Sequence, residues 1–127
     1  MSTVYANPIV FKDVCVAPER LRIYIACPYS KGDIAMNVRN ACLAADEVAA
    51  KGHYPFIPIL THFWHMINPH PYEFWLDQDM EWLKVCDAVL RLPGESVGAD
   101  KEVAWAQEHG LMIYHSVFEI PDVNKAP

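Results

Sequence analysis

The sequence predicts a single α/β domain built on a doubly wound, mostly parallel sheet with helices on both faces. Short apolar runs typical of buried strands alternate along the chain with longer segments of helical periodicity. Strands that alternate with helices form right-handed crossovers and parallel sheets. The chain has 127 residues, 53% of them hydrophobic, which suffices for one core but not for two ordinary domains.

The most regular part of the pattern begins at residue 21. "LRIYIAC" is a short β-branched and aromatic run that stops at Pro28, as expected of a buried strand. Asp33 is placed to cap a following helix, whose apolar residues recur at helical spacing until Gly52 closes it. A buried strand followed by an amphipathic helix is therefore predicted here.

Three further strands and two further helices complete the predicted pattern. "HYPFIPIL" is the second strand, which Pro55 and Pro58 push toward a sheet edge because proline donates no ladder hydrogen bond. The third and fourth strands are "DAVLRLP" and "LMIYHSV", and the helices are "YEFWLDQDMEWLKVC" and "GADKEVAWAQEHG". "THFWHMINPHP" is predicted to be a binding loop, since ordinary connections run to about 2–6 residues. Residues 1–20 are an expected N-terminal extension, residues 21–118 the domain and residues 119–127 a loose tail.

Composition narrows the classes of function. The net charge of -6 argues against a nucleic-acid polymer as partner, because clustered basic side chains supply that affinity. A small-molecule partner is expected instead. No apolar run is long enough for a membrane span and no secretory leader is evident. Four cysteines without C-x-x-C spacing are expected to be free thiols, so we predict a cytoplasmic protein without membrane contact.

The predicted topology also locates a ligand site. In a sheet of strand order 2-1-3-4, the ligand crevice lies between the loops that follow the first and third strands. Those loops are "PYSKGD" at residues 28–33 and "PGESVGAD" at residues 93–100. Both can present backbone N–H groups and hydroxyls to a phosphate or a sugar. Neither matches a dinucleotide or Walker motif, and the alternative is that both are only tight turns.

Two carboxylates fall near this crevice. Asp79 interrupts the apolar stripe of the second predicted helix, where a carboxylate is costly unless it is paired, ligated or lining a cavity. Glu102 shares a face of the third helix with the small residues Ala99 and Ala106, which leave room for a ligand. Such a pair suits glycosidic chemistry, in which one carboxylate attacks the anomeric carbon and the other handles protons. The alternatives are a structurally paired Asp79 and a Glu102 that only complements the helix dipole.

Three linked segments resemble the nucleoside 2-deoxyribosyltransferase-like superfamily, which includes the deoxynucleoside 5'-monophosphate N-glycosidases. They are "IYIACPYS", "DQDMEWLKVCDAVL" and "GESVGADKEVAWA". The resemblance implies a flavodoxin- or Rossmann-like sheet of four to five strands. By position, Glu102 matches the nucleophile that forms a glycosyl-enzyme ester, Asp79 the second catalytic carboxylate, and Tyr24 the tyrosine that donates a hydrogen bond to the nucleophile. Asp87 matches a carboxylate expected to be structural.

The resemblance implies an activity but leaves substrate and acceptor open. It implies cleavage of the N-glycosidic bond of a 2'-deoxynucleoside, or its 5'-monophosphate, through a covalent glycosyl-Glu102 intermediate, with transfer of the sugar to another nucleobase. The alternatives are a hydrolase that passes the sugar to water and, in another class, a non-catalytic nucleotide-binding sensor. Ser96 stands where transferases of free nucleosides carry an acidic residue, so Ser96, Gly98 and Ser30 are predicted to bind substrate. No cofactor is expected, and the resemblance implies a homo-oligomer.

The aromatic loop is predicted to contact the base. Phe63 and Trp64 are placed to stack on it, and His65 or His62 to hydrogen-bond its edge. The alternative is that Phe63 and Trp64 cover the core or a subunit interface. A metal site formed with His70 is not expected, because H-x-x-H in a proline-containing loop does not make three imidazoles converge.

Overall fold

The computed structural model describes residues 10–11, 14–15 and 19–124. Its first elements are two short strands, β1 (Val10–Phe11) and β2 (Val14–Cys15), which pair antiparallel. Most of the predicted N-terminal extension and the last three residues of the predicted tail lie outside the described residues.

The main sheet has four parallel strands, as the alternation of strands and helices predicts. In chain order they are β3 (Arg22–Ala26), β4 (Tyr54–Phe56), β5 (Ala88–Arg91) and β6 (Met112–Tyr114). Their spatial order, β4-β3-β5-β6, confirms the predicted order 2-1-3-4. The proline-containing β4 lies at an edge, where a missing ladder donor is tolerated.

Four helices connect the strands: α1 (Ile34–Ala50), α2 (Thr61–Ile67), α3 (Tyr72–Leu83) and α4 (Val97–Glu108). The side chain of Asp33 caps α1 by accepting a hydrogen bond from the backbone N–H of Met36 at 3.1 Å. Ser96 caps α4 in the same way, with its Oγ 3.0 Å from the backbone N of Ala99. These bonds satisfy N–H groups that a helix start leaves unpaired. Among the described residues, no helix combines the length and apolarity needed to cross a bilayer.

The sheet buries apolar side chains on both faces, as the fold class requires. One cluster joins the sheet to α1 and includes Ile23, Ile25, Ala45, Val48 and Leu90. The other joins it to α3 and α4 and includes Tyr24, Leu83, Val89, Ala99 and Ala106. Successive side chains of a strand point to opposite faces. Tyr24 therefore lies on the face covered by the helix that carries Glu102.

The segment between β4 and α3 differs from the prediction. The second strand ends at Phe56, a 3₁₀ turn follows over Pro58–Leu60, and the predicted binding loop begins with the helix α2. This helix has seven residues and no side-chain hydrogen bond at its N-cap. Two turns are too few for a repeating apolar face to show in the sequence. The prediction that this segment is a loop was therefore wrong for residues 61–67.

Residues 120–124 pack against the end of α1 rather than forming a loose tail. Asn124 Nδ2 donates a hydrogen bond to the carbonyl of Ala50 at 2.8 Å. The buried imidazole of His53 links the same segment to the core, since its Nε2 lies 2.7 Å from the carbonyl oxygen of Pro121. Asn124 thus donates a hydrogen bond to the carbonyl of Ala50, which has no partner within the helix because it lies in the last turn.

Candidate active site

A cavity of about 630 Å³ lies at the carboxyl ends of β3 and β5, where the predicted topology places the ligand site. Its wall comes from four parts of the chain: the loop after β3, the segment from Pro58 to His70, α3, and the start of α4. Small-molecule sites typically enclose about 300–1,000 Å³. The two loops singled out from the sequence therefore meet at one cavity of suitable size.

Glu102 lies in the cavity wall with only 7% of its surface exposed. The hydroxyl of Tyr24, which is wholly buried on β3, donates a hydrogen bond to Glu102 Oε2. Burial raises the pKa of Glu102 to about 7, while the bond from Tyr24 acts in the opposite direction. A carboxylate that only complements a helix dipole needs neither burial nor a tyrosine partner.

Tyr24 is fixed as a hydrogen-bond donor. Burial, followed by the negative charge of Glu102, raises the pKa of Tyr24 far above its ordinary value. The phenol therefore keeps its proton at neutral pH, and its bond holds one oxygen of Glu102 in place.

Asp79 lines the same cavity from α3. Within residues 19–124, no basic group or hydrogen-bond donor pairs with its carboxylate. Since no buried side-chain oxygen in that part of the chain lacks a partner, the Asp79 oxygens are accessible, and Asp79 belongs to the cavity wall. Burial raises the pKa of Asp79 to about 7. The alternative of a structural pair requires a partner that the described residues do not supply.

The charge of Asp79 acts on Glu102. After burial, the charge of Asp79 also raises the pKa of Glu102, whereas the more weakly acting Arg91 lowers it. With both pKa values near 7, the pair shares about one proton at neutral pH. One carboxylate can then attack while the other donates a proton, which is the division that displacement of a poor leaving group requires.

Five other predicted residues also line the cavity: Ser30, His62, His65, Ser96 and Gly98. The Oγ of Ser96 accepts the capping bond of α4, so its hydroxyl hydrogen remains available to a ligand. The N-terminus of α4 favours negative charge at the same place. Ser96 and Gly98 thus bring polar groups to the cavity wall at the start of α4.

Phe63 and Trp64 do not line the cavity. Their side chains are 52% and 44% exposed, and Trp64 packs edge-on against Trp75 at a centroid distance of 4.8 Å. Because residues 61–67 are helical, Thr61, His62 and His65 face the cavity and the two aromatic residues between them turn away. The structure therefore does not bring Phe63 and Trp64 into the site, and a role for them at a subunit interface stays a prediction.

Several cavity residues were missed from the sequence. Tyr72 and Trp75 line it from α3, and Lys31 and Lys101 also belong to its wall. Tyr72 and Trp75 fit the spacing of the apolar stripe on the second predicted helix, so the sequence pattern favours a core position for both. The position of Trp75 in the cavity could have been inferred from its spacing. It precedes Asp79 by four residues, which places both side chains on one face of the helix.

Three histidines reach the cavity without forming a metal centre. His62, His65 and His70 all line it, but no group of three potential ligands within residues 19–124 is arranged to hold a metal ion. His62 Nδ1 lies 2.7 Å from the hydroxyl of Tyr29, and His65 Nδ1 accepts a hydrogen bond from Trp75. The Nδ1 atoms of His62 and His65 thus face different neighbours.

Comparisons with known proteins place the chain in a family and support its fold. A family model described as "Domain of unknown function (DUF7768)" matches residues 21–116. No curated protein matches the chain. Among solved structures, the chain is similar to a 2-deoxyribosyltransferase from the psychrotolerant bacterium Bacillus psychrosaccharolyticus, with 19% identity, a TM-score of 0.54, and coverage of 72% of this chain and 69% of the other. At this identity the likeness shows a shared α/β fold, which is the fold that the sequence predicts.

Proposed function

The chain belongs to the family described as "Domain of unknown function (DUF7768)", and from the geometry of its cavity we propose that it is a deoxyribosyl-transferring enzyme. It cleaves the N-glycosidic bond of a 2'-deoxynucleoside or its 5'-monophosphate and passes the sugar to another nucleobase. One observation carries the proposal: a buried Glu102, held by Tyr24, shares a cavity with Asp79, whose carboxyl group has no partner among residues 19–124. The 2-deoxyribosyltransferase of similar fold adds support.

The first half of the reaction forms a glycosyl ester on Glu102. Tyr24 holds Oε2, so Oε1 is the oxygen free to attack C1' of the sugar. The C1'–N bond breaks, its electron pair moves to the departing base, and protonated Asp79 donates a proton to that base. Glu102 must be ionised and Asp79 protonated, a distribution that two pKa values near 7 allow at neutral pH.

The second half reverses these roles. A ring nitrogen of the acceptor base attacks C1', the bond to Glu102 breaks, and Asp79 takes the proton that the acceptor loses. Two successive displacements at one carbon retain its configuration. Water in place of the acceptor base gives hydrolysis, so the outcome depends on how well the bound base excludes water from the ester.

The hydroxyl and basic groups that the loop after β3 and the start of α4 bring to the cavity are proposed to hold the 5' side of the sugar. Ser30 and Ser96 offer hydroxyls there, and Lys31 and Lys101 add positive charge to a chain whose net charge is -6. The exposed Lys31–Glu95 contact, at 3.6 Å, contributes only about 0–1 kcal/mol. Lys31 can therefore exchange this partner for a phosphate group, which favours the 5'-monophosphate over the free nucleoside.

Product analysis tests the activity. The purified protein is incubated with thymidine, deoxycytidine and their 5'-monophosphates, with and without adenine, and the products are separated by chromatography. Deoxyadenosine or its monophosphate is the expected product, absent in the Glu102→Gln variant and present in a Glu108→Gln variant altered at an exposed position of α4. Free base released regardless of adenine would establish the hydrolase. Tight binding without cleavage of any substrate would refute the enzyme in favour of a sensor.

A further inference from the structure

His65 is held at one ring nitrogen by two hydrogen-bond donors. Its Nδ1 accepts from the indole Nε1–H of Trp75 at 2.8 Å and from the backbone N–H of His70 at 3.2 Å. The His65 and Trp75 rings meet edge to face with their centroids 5.7 Å apart. Together these contacts fix the position of the imidazole in the cavity wall.

The same contacts determine which nitrogen of His65 carries hydrogen. An indole N–H and a peptide N–H can only donate, so Nδ1 must offer its lone pair to both. The single ring hydrogen of the neutral imidazole is then on Nε2. A proton on Nδ1 would break both bonds.

The Nε2–H group is left to meet a ligand. In the described part of the chain Nε2 has no hydrogen-bond partner, and no buried side-chain nitrogen there is unpartnered. Nε2 is therefore accessible to solvent or a ligand, and His65 belongs to the cavity wall. His62 differs, since the hydroxyl of Tyr29 beside its Nδ1 both donates and accepts and does not select a tautomer.

We infer that His65 presents its Nε2–H to the cavity as a fixed, uncharged hydrogen-bond donor to an acceptor atom of the nucleobase, and so stabilises the base as it leaves the sugar. This rests on the proposed function. When the C1'–N bond breaks, its electron pair moves onto the base, and the ring nitrogens and carbonyl oxygens gain negative charge. A donor already oriented toward that charge stabilises it without reorganisation. The proton stays on Nε2, and Asp79 remains the group that transfers one.

A single donor also bears on selectivity among bases. Every natural nucleobase carries at least one ring nitrogen or carbonyl oxygen that accepts a hydrogen bond, whereas an exocyclic amino group does not replace it. His65 therefore selects an orientation in which an acceptor atom faces Nε2, but it does not select one base. The substrate class is any purine or pyrimidine that can present such an atom.

The tautomer is tested without reference to activity. Two-bond ¹H–¹⁵N correlation spectra of the full chain, labelled with ¹⁵N-histidine, report the protonation of each ring nitrogen, and the spectrum of His65→Gln assigns the signal. We expect hydrogen on Nε2 and a bare Nδ1 at neutral pH. Hydrogen on Nδ1, or on both nitrogens, would overturn the inference even if the protein is an active transferase.

Titration with adenine, hypoxanthine and thymine then tests the contact. For this experiment the protein is labelled with ¹⁵N in its tryptophan residues as well as in its histidines. A downfield shift of the His65 Nε2–H signal is expected with each base. Shifts of the Trp75 indole with no change at His65 would mean that bases bind without touching it, which overturns the inference and leaves the proposed function intact. No shift at either residue with any base would overturn both.

Two variants distinguish the effect of the His65 hydrogen-bond donor from the effect of the shape of its ring. His65→Gln can place an amide N–H near the position of Nε2, whereas His65→Phe keeps a ring without a donor, and both lose the Nδ1 acceptor. We expect kcat to fall about 10²-fold in the Phe variant, as for loss of one oriented donor, and to fall less than tenfold in the Gln variant, with similar KM values. Equal losses of kcat in both variants would show that the donor does not act on the leaving base.

Discussion

Replacing Glu102 with glutamine should stabilise the fold above neutral pH while it abolishes product formation. Burial raises the pKa of Glu102 from an ordinary 4.5 to about 7, so the folded protein binds this proton more tightly than the unfolded chain does. The resulting contribution to stability is complete below pH 4.5 and is lost as the pH rises through 7. Glutamine keeps the shape of the side chain and an oxygen for the Tyr24 hydroxyl, but it has no charge to bury.

The size of the effect follows from that difference in pKa. One pKa unit corresponds to about 1.4 kcal/mol, so moving from 4.5 to about 7 sets a limit of about 3 kcal/mol. Most of it, about 2.5 kcal/mol, develops between pH 5 and pH 8. The free energy of unfolding of Glu102→Gln, relative to the unmodified protein, should therefore rise by about this amount over the same interval.

Urea unfolding followed by tryptophan fluorescence measures both free energies at pH 5 and pH 8. Glu108→Gln is the matched control, because Glu108 lies exposed in the last turn of the same helix and its substitution should produce no comparable gain. A stability difference for Glu102→Gln that does not change with pH would refute the reasoning, since it would mean that the carboxylate is not buried in its neutral form. An equal gain in the free energy of unfolding of Glu108→Gln would also refute it, because the gain would then not depend on burial of the carboxyl group.

Three further predictions concern the reaction. Asp79→Asn should lower kcat by about 10²–10⁴-fold through loss of the proton donor, and unchanged turnover would remove Asp79 from the chemistry. Tyr24→Phe should raise the pKa of Glu102 further, because the Tyr24 hydrogen bond opposes the effect of burial, so the acidic limb of the kcat/KM profile should move to higher pH; a shift to lower pH contradicts this. Ser96→Asp should raise KM for a 5'-monophosphate far more than for its nucleoside through like-charge repulsion, whereas equal increases would take Ser96 out of the phosphate site.

The strand order and the position of the cavity were predictable because they follow from local patterns. The apolar runs that form β3 and β5 are separated by helical segments, and right-handed crossovers leave few ways to order such strands. The caps at Asp33 and Ser96 needed only the chemistry of their own side chains. The loops that meet at the cavity were therefore identifiable before the fold was known.

The orientation of the aromatic residues was not predictable in the same way. Phe63 and Trp64 turn away from the cavity because they lie within the seven-residue helix α2. A helix this short derives its stability from packing rather than from its own sequence. Trp75 faces the cavity from a neighbouring helix. Which aromatic ring meets a ligand depends on how α2 and α3 pack, and that is a tertiary property.

By itself, the sequence determined the class of fold, the order of its strands and the two loops that meet at the cavity, because periodicity, capping residues and crossover handedness act over short stretches of chain. Only the tertiary structure decided that Glu102 is buried against Tyr24, 78 residues away, and that Asp79 lines the same cavity with no partner for its carboxylate in the described part of the chain. The physical reason is desolvation: the pKa of a carboxyl group depends on what surrounds it in space, and for Glu102 and Asp79 those surroundings come from distant segments of the chain.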